Sequence, residues 1–101
     1  MKAFGEIIRE QRIKRGLVLR QVAAATDIDQ ATISKYEKGE RKPSKMQVLQ
    51  FAKLYNLDQD TLIVAWLSDK VAYDLQNERL ADKVLKVAEQ KVKYIAKNGH
   101  K

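Results

Sequence analysis

Two short helical segments joined by a very short turn constrain the fold of this chain most strongly. Apolar residues recur at three- and four-residue spacings on both sides of residues 27–29, which predicts helices of about eight residues over Leu19–Thr26 and Gln30–Lys38. Because the turn has three residues, the two helices cannot lie antiparallel and must cross at a steep angle. Asp29 is suited to cap the second helix and Gly39 to end it.

The rest of the chain also indicates an all-α fold. Strand-like alternation is absent, and the one proline and four glycines fall where helices are expected to stop. Ser44 and Gln47 have the spacing of a capping box after Pro43. Further helices are predicted over about 3–15, 44–55, 58–76 and 78–97. We expect a five-helix domain over 1–67 and a C-terminal helical extension over 68–101.

Charge and composition narrow the class of protein. The 101 residues include 20 Lys+Arg and 13 Asp+Glu, a net charge of +7, and 12 of the basic residues lie in the first 58. This excess fits either a soluble domain or a polyanionic partner such as nucleic acid. With no cysteine, no apolar run of membrane-spanning length and no apolar signal-peptide core, a cytoplasmic protein without membrane association is expected.

The run VAAATDIDQATISKYEKGERKPS, followed by LQFAKLYNLD, resembles the phage repressor and Cro-type helix-turn-helix family, often called XRE-like. The resemblance covers about residues 4–66 and implies a repressor-like DNA-binding domain. Ser34, Glu37 and Gly39 match the family's I-S-x-x-E-x-G ending. Arg12 and Glu37 match a pair that forms a salt bridge in relatives, and two solvated charges are the alternative.

The chain departs from the family at two positions near the second helix. Asp27 stands where relatives usually have glycine, and aspartate tolerates a left-handed backbone better than most residues. Val18 and Leu19 replace the usual hydroxyl cap and glutamine. A phosphate contact at this end is therefore expected from Arg20 or from backbone amides.

The resemblance also implies which residues meet DNA. The first turn of the third helix and the residue one turn further in read bases in the major groove. Glutamine can pair with adenine, lysine with guanine, and alanine or the threonine methyl with thymine. Ser34 and Lys35 could instead contact phosphate, and the basic loop could be merely solvated. The predicted base-reading residues are Gln30, Ala31, Thr32 and Lys35, and the predicted phosphate-binding residues are Arg20, Ser34, Lys38, Arg41, Lys42 and Lys45.

The C-terminal extension is the expected source of a homodimer, because relatives bind two-fold operators and this arm carries much apolar sequence. Folding back onto the five-helix core is the alternative, and the arm's lysines are expected on its solvated face. The predicted dimerisation residues are Trp66, Tyr73, Leu80, Val84, Val87, Val92 and Ile95.

The expected function is that of a sequence-specific transcriptional regulator, a repressor or controller, that binds a palindromic operator in double-stranded DNA. The rival is an antitoxin-like module whose C-terminal helices bind a partner protein. RNA binding is disfavoured because few aromatic residues accompany the basic ones. No enzyme, cofactor or metal site is expected, since the single histidine, His100, lies near the end and the pairs at 27/29 and 58/60 suit helix caps.

Overall fold

The computed structural model describes residues 1–98, and the described chain is all-α, as the sequence predicts. It divides into two compact units, Met1–Val71 and a second that begins at Ala72, so the boundary falls within the fifth helix. None of the helices within residues 1–98 is both long and apolar enough to cross a bilayer. The six helices are α1 (Phe4–Lys14), α2 (Leu19–Thr26), α3 (Gln30–Lys38), α4 (Lys45–Leu54), α5 (Gln59–Leu75) and α6 (Ala81–Asn98).

Local signals set the helix ends in the first unit. A carboxylate oxygen of Asp29 accepts hydrogen bonds from the amides of Ala31 and Thr32, at 3.0 and 3.3 Å, and so caps α3. Asp27 adopts the left-handed backbone expected of it, with φ 59°. The predicted capping box of α4 is confirmed, because Ser44 and Gln47 bond reciprocally.

The core of the first unit is an aromatic cluster surrounded by aliphatic side chains from all five of its helices. Phe51 lies at its centre, with Phe4 and Tyr36 packed edge-on at centroid distances of 6.1 and 6.4 Å. Edge-on pairs suit the charge distribution of aromatic rings and add to the stabilisation from burial. The buried apolar residues are Phe4, Ile8, Val22, Ile28, Ile33, Tyr36, Val48, Phe51, Ala52, Tyr55, Leu62 and Trp66.

Trp66 corrects a prediction, since it was expected on a dimerisation surface. The side chain is 7% exposed and belongs to the core of the first unit. Its indole nitrogen Nε1 donates a hydrogen bond to the carbonyl oxygen of Pro43 at 3.0 Å. The buried indole N–H needs a partner, and this carbonyl supplies one. The ring is therefore not available to a second chain.

α1 and α3 approach each other so closely that a side chain is excluded at one point. A Cβ atom built on Gly5 would lie 2.4 Å from the carbonyl oxygen of Tyr36 and 2.7 Å from that of Glu37. Glycine costs a helix interior about 1 kcal/mol relative to alanine. The prediction that each glycine marks a helix end is therefore wrong at Gly5, which lies inside α1 and allows its backbone to pack directly against the end of α3.

The second unit begins in the last turn of α5 and continues into α6. Asn77 has a left-handed backbone, with φ 69°, in the turn between the helices. A carboxylate oxygen of Glu78 accepts a hydrogen bond from the amide of Leu80 at 3.1 Å. α6 therefore begins at Ala81 and not at residue 78, as the sequence had suggested. The expected helix stop at Gly99 and the tail position of His100 lie outside the described residues.

No side chain of α6 is buried within the described chain, and its apolar residues gather on one face. Leu80, Val84, Val87 and Lys91 follow one another at spacings of four, three and four residues, so they lie along a single stripe. Lys91 is therefore on the apolar face, although the sequence suggested that it was on the solvated one. Ala88 and Ile95 lie on the same side of the helix. We call the six residues together the α6 face: Leu80, Val84, Val87, Ala88, Lys91 and Ile95.

Candidate nucleic-acid interface

α3 has one face fixed in the core and one face open to solvent. Ile33, Tyr36 and Glu37 are buried on the inner face. Ala31, Lys35 and Lys38 are exposed on the outer face. The helix thus offers a small side chain and two cations to the outside, while its inner residues determine how it is held.

The buried end of α3 is held by an ion pair with α1. Arg12 Nε donates to Glu37 Oε2 at 2.8 Å, and Nη2 donates to Oε1 at 3.0 Å. Arg12 Nη1 also donates to the carbonyl oxygen of Leu17 at 3.0 Å. The hydrogen bond to Glu37 raises the pKa of Arg12, and burial opposes this rise. With side chains 15% and 4% exposed, the two-bond fork sets the rotation of α3 about its axis.

A second link joins α3 to α4. The Tyr36 hydroxyl donates to Gln47 Oε1 at 2.7 Å, and the same oxygen accepts from the Ser44 amide at 3.1 Å. The capping box of α4 thus also holds α3. A sequence reading of Gln47 as a cap is correct but incomplete, because nothing local shows that Tyr36 reaches it.

The four predicted base-reading residues all lie at the start or on the outside of α3. Gln30, Ala31 and Lys35 are exposed, and Thr32 is half-buried. The Thr32 and Ala31 amides are occupied by the Asp29 cap. The side chains of the first turn are therefore free to meet the edges of base pairs, while their backbone is held in place. Their contact with bases remains a prediction.

Most of the predicted phosphate-binding residues are exposed and lie around α3. Ser34 is half-buried, whereas Arg20, on α2, is exposed. The start of α2 has no side-chain cap from Val18, as its apolar side chain implies, but Gln21 Oε1 accepts from the Val18 amide at 2.9 Å. The predicted phosphate-binding cations Lys38, Arg41, Lys42 and Lys45 are all exposed.

The loop between α3 and α4 borders a cleft of about 380 Å³. Arg41 and Lys42 line it on one side, and Trp66 and Asp69 line it on the α5 side. Asp69 Oδ2 accepts a hydrogen bond from the Phe4 amide at 2.9 Å, which ties α5 to the start of α1. Sequence reasoning missed Asp69 and the position of Trp66, because both depend on contacts between residues far apart in the chain.

The predicted dimerisation residues other than Trp66 are exposed. They lie in the last turn of α5, directly before α6 and along α6: Tyr73, Leu80, Val84, Val87, Val92 and Ile95. No group of three or more potential ligands that could hold a metal ion occurs within residues 1–98.

Comparison with known families agrees with this geometry. A family model described as a helix-turn-helix domain matches residues 3–63, which is more than half of the chain. No curated protein and no solved structure matches the sequence significantly. The matched range includes α1 to α4 and the beginning of α5, and hence every predicted base-reading and phosphate-binding residue. The chain therefore belongs to the helix-turn-helix domain family of DNA-binding domains.

Proposed function

We propose that this protein is a sequence-specific DNA-binding transcriptional regulator. The observation that carries the proposal is the division of α3 into a fixed inner face and an open outer face. The Arg12–Glu37 fork and the Tyr36–Gln47 bond prevent rotation of the helix. Side chains that read bases must be held in one register, because a small rotation moves them off the hydrogen-bonding edges.

In this proposal the two sets of exposed residues have different tasks. Gln30, Ala31, Thr32 and Lys35 contact base edges and determine which sequence is bound. The phosphate-binding residues supply affinity that does not depend on sequence, by neutralising backbone charges and releasing counterions. They are Arg20, Ser34, Lys38, Arg41, Lys42 and Lys45.

We further propose that the protein acts as a homodimer through the α6 face and binds a palindromic operator. Leu80, Val84 and Ile95 are each between 41% and 52% exposed, which leaves an apolar surface for a second copy. Lys91 favours antiparallel pairing, because parallel α6 helices would bring the two Lys91 ammonium groups together. Two half-sites are then expected about 34–36 Å apart. Repression by blocking polymerase is the simplest mechanism.

A second candidate function is that of an antitoxin-like module that binds a partner protein on α6. Lys91 supports this candidate, because a carboxylate on the partner would pair with a cation set among apolar side chains. α6 itself carries Asp82 and Glu89, but neither belongs to the α6 face. DNA binding would then serve autoregulation.

Selection of bound DNA from a random duplex pool tests the proposal. Enrichment of a two-fold consensus with half-sites one helical turn apart is the expected result. A consensus with one half-site would retain the regulator but remove the homodimer. A pool with no enrichment at any salt concentration would reject sequence-specific binding and leave the protein-interaction module as the better candidate.

A further inference from the structure

We propose that Trp66 is a positioning residue for the contacts that Arg41 and Lys42 make with the DNA backbone. The proposal rests on the proposed function and adds to it a residue outside the range matched by the family model. Trp66 acts through the hydrogen bond from its Nε1 to the Pro43 carbonyl oxygen, which spans 23 positions of the chain. It touches no DNA itself.

The loop that carries Arg41 and Lys42 is held at both ends. At its start, the Glu40 amide donates to the Lys35 carbonyl oxygen at 2.9 Å, directly after the left-handed Gly39. At its end, Pro43 is buried and its carbonyl accepts from Trp66. Between these two points the basic side chains are exposed. These two hydrogen bonds are the anchors of the loop, and they determine the positions of Arg41 and Lys42 relative to α3.

The first anchor belongs to the helix-turn-helix itself, whereas the second comes from α5. The Trp66 ring is held in place, because it is buried and the Lys70 ammonium lies 4.2 Å from the ring centroid. One turn along α5, Asp69 is bonded to the Phe4 amide. α5 is thus fixed on α1, and the loop is fixed on α5.

Loss of the indole N–H would leave the Pro43 carbonyl buried without its partner. A buried carbonyl without a partner is costly, so the loop would shift or move to reach water. A displaced loop holds Arg41 or Lys42 away from the phosphates, so about one phosphate contact is lost from the complex. The loss falls on phosphate contacts, so it is the same for every sequence.

The test replaces Trp66 by 3-benzothienylalanine, which keeps the bicyclic shape and removes the donor, and by phenylalanine as a coded variant. The probes are the duplex selected from the random pool and a scrambled duplex of equal length. We expect both variants to bind both duplexes about three- to tenfold more weakly, the value of one hydrogen bond. The slope of log K against log salt concentration should fall by about one unit.

Leu62→Val is the matched control, because Leu62 is a buried residue of the same helix that does not contact the loop through a hydrogen bond. All variants are assayed at a temperature at which circular dichroism shows them folded. An unchanged salt slope in the folded benzothienyl variant would overturn the inference, as would an equal fall in the control. If the wild-type protein binds neither duplex, the proposed function itself fails; if it binds and the variants match it, only this inference fails.

Discussion

At the scale of single residues, the most consequential contact is the buried fork between Arg12 and Glu37. A buried ion pair does not by itself stabilise a fold, because removing two charges from water costs about as much as their attraction returns. Its effect is geometric, since two parallel hydrogen bonds fix the orientation of α3 relative to α1. The effect of the pair on the free energy of unfolding can therefore be measured separately from its effect on the orientation of α3.

We predict that Arg12→Met lowers the free energy of unfolding by about 3–5 kcal/mol, because it leaves the Glu37 carboxylate buried without its cation. The double variant Arg12→Met/Glu37→Met should recover most of this loss, since it removes both charges. Urea denaturation of the single and double variants measures both values. Additive losses would show that the pair does not interact as the geometry indicates.

Tyr55 is a second residue with a measurable effect, because it should make the stability of the fold depend on pH. Its side chain is 0% exposed, and its hydroxyl has no hydrogen-bond partner within the described chain. Burial raises the pKa of Tyr55 to about 12, with a smaller contribution from the charge of Glu37. Because the folded-state pKa is above the unfolded value of 10.0, the neutral tyrosine is compatible with the fold below pH 10, and stability is lost as the pH rises from 10 towards 12.

We predict that Tyr55→Phe is at least as stable as the wild type at pH 7, by up to about 1 kcal/mol, because it removes an unpaired buried hydroxyl. Between pH 9 and pH 11 the advantage of the variant should grow, roughly following the linkage of the tyrosine. Unfolding free energies of the wild type and the variant, measured at pH 7, pH 9 and pH 11, check both expectations. Tyr36→Phe is the control, because its hydroxyl has a partner and its removal should destabilise.

At the scale of the elements, α3 shows which features can be predicted from sequence. Its ends are set by Asp29 and Gly39, which act on amides and carbonyls a few residues away, so both positions are readable locally. The burial of Trp66 could not be predicted from the sequence, because an apolar residue on a helix can face the core or a second chain. Only the path of the loop to Pro43 decides between the two.

The same reasoning explains the beginning and the faces of α6. The sequence predicts a helix from about residue 78, but Asn77 has a left-handed backbone and the helix begins at Ala81. The lysines of the arm are expected on the solvated face, but the spacing of Lys91 from Val84 and Val87 puts it on the apolar stripe. The proposed domain division at 67/68 remains a prediction, and the first compact unit continues to Val71.

We predict that substitutions on α3 and on the following loop change DNA binding in different ways. Lys35→Ala should change the preference at one base pair by about 1–3 kcal/mol, because it removes a contact to a base edge. Arg41→Ala should weaken binding to all sequences and lower the salt slope by about one unit. Binding to the selected duplex and to its single-base variants, at three salt concentrations, separates them. Uniform losses from both variants would contradict the proposed division.

At the scale of the whole molecule, the proposed regulator combines one unit that meets DNA with a second unit that carries an exposed apolar face. The basic excess lies mainly in the first 58 residues, where the proposed DNA contacts are. In the proposed homodimer, the second unit joins the two copies. Affinity for an operator then depends on both units, since each half-site alone offers few contacts.

We predict that Val84→Glu converts the proposed homodimer to a monomer, because it puts a carboxylate in the centre of the α6 face. Affinity for a two-half-site duplex should fall by about 10²-fold or more, while affinity for a single half-site changes little. Analytical ultracentrifugation and binding to both duplexes measure this. Lys86→Glu is the control, since Lys86 lies on the opposite side of α6 and undergoes a larger change of charge. A dimer that persists in Val84→Glu would exclude the α6 face.

The contact between Gly5 and the end of α3 has a consequence for how such a regulator can change over generations. A Cβ atom at position 5 would clash with the carbonyl oxygens of Tyr36 and Glu37, so α1 and α3 would have to move apart. The outward residues of α3 are under no such restriction. If the proposed function holds, new operator preferences arise through codons for a few exposed positions, whereas a change in the codon for Gly5 alters the orientation of all of these positions at once.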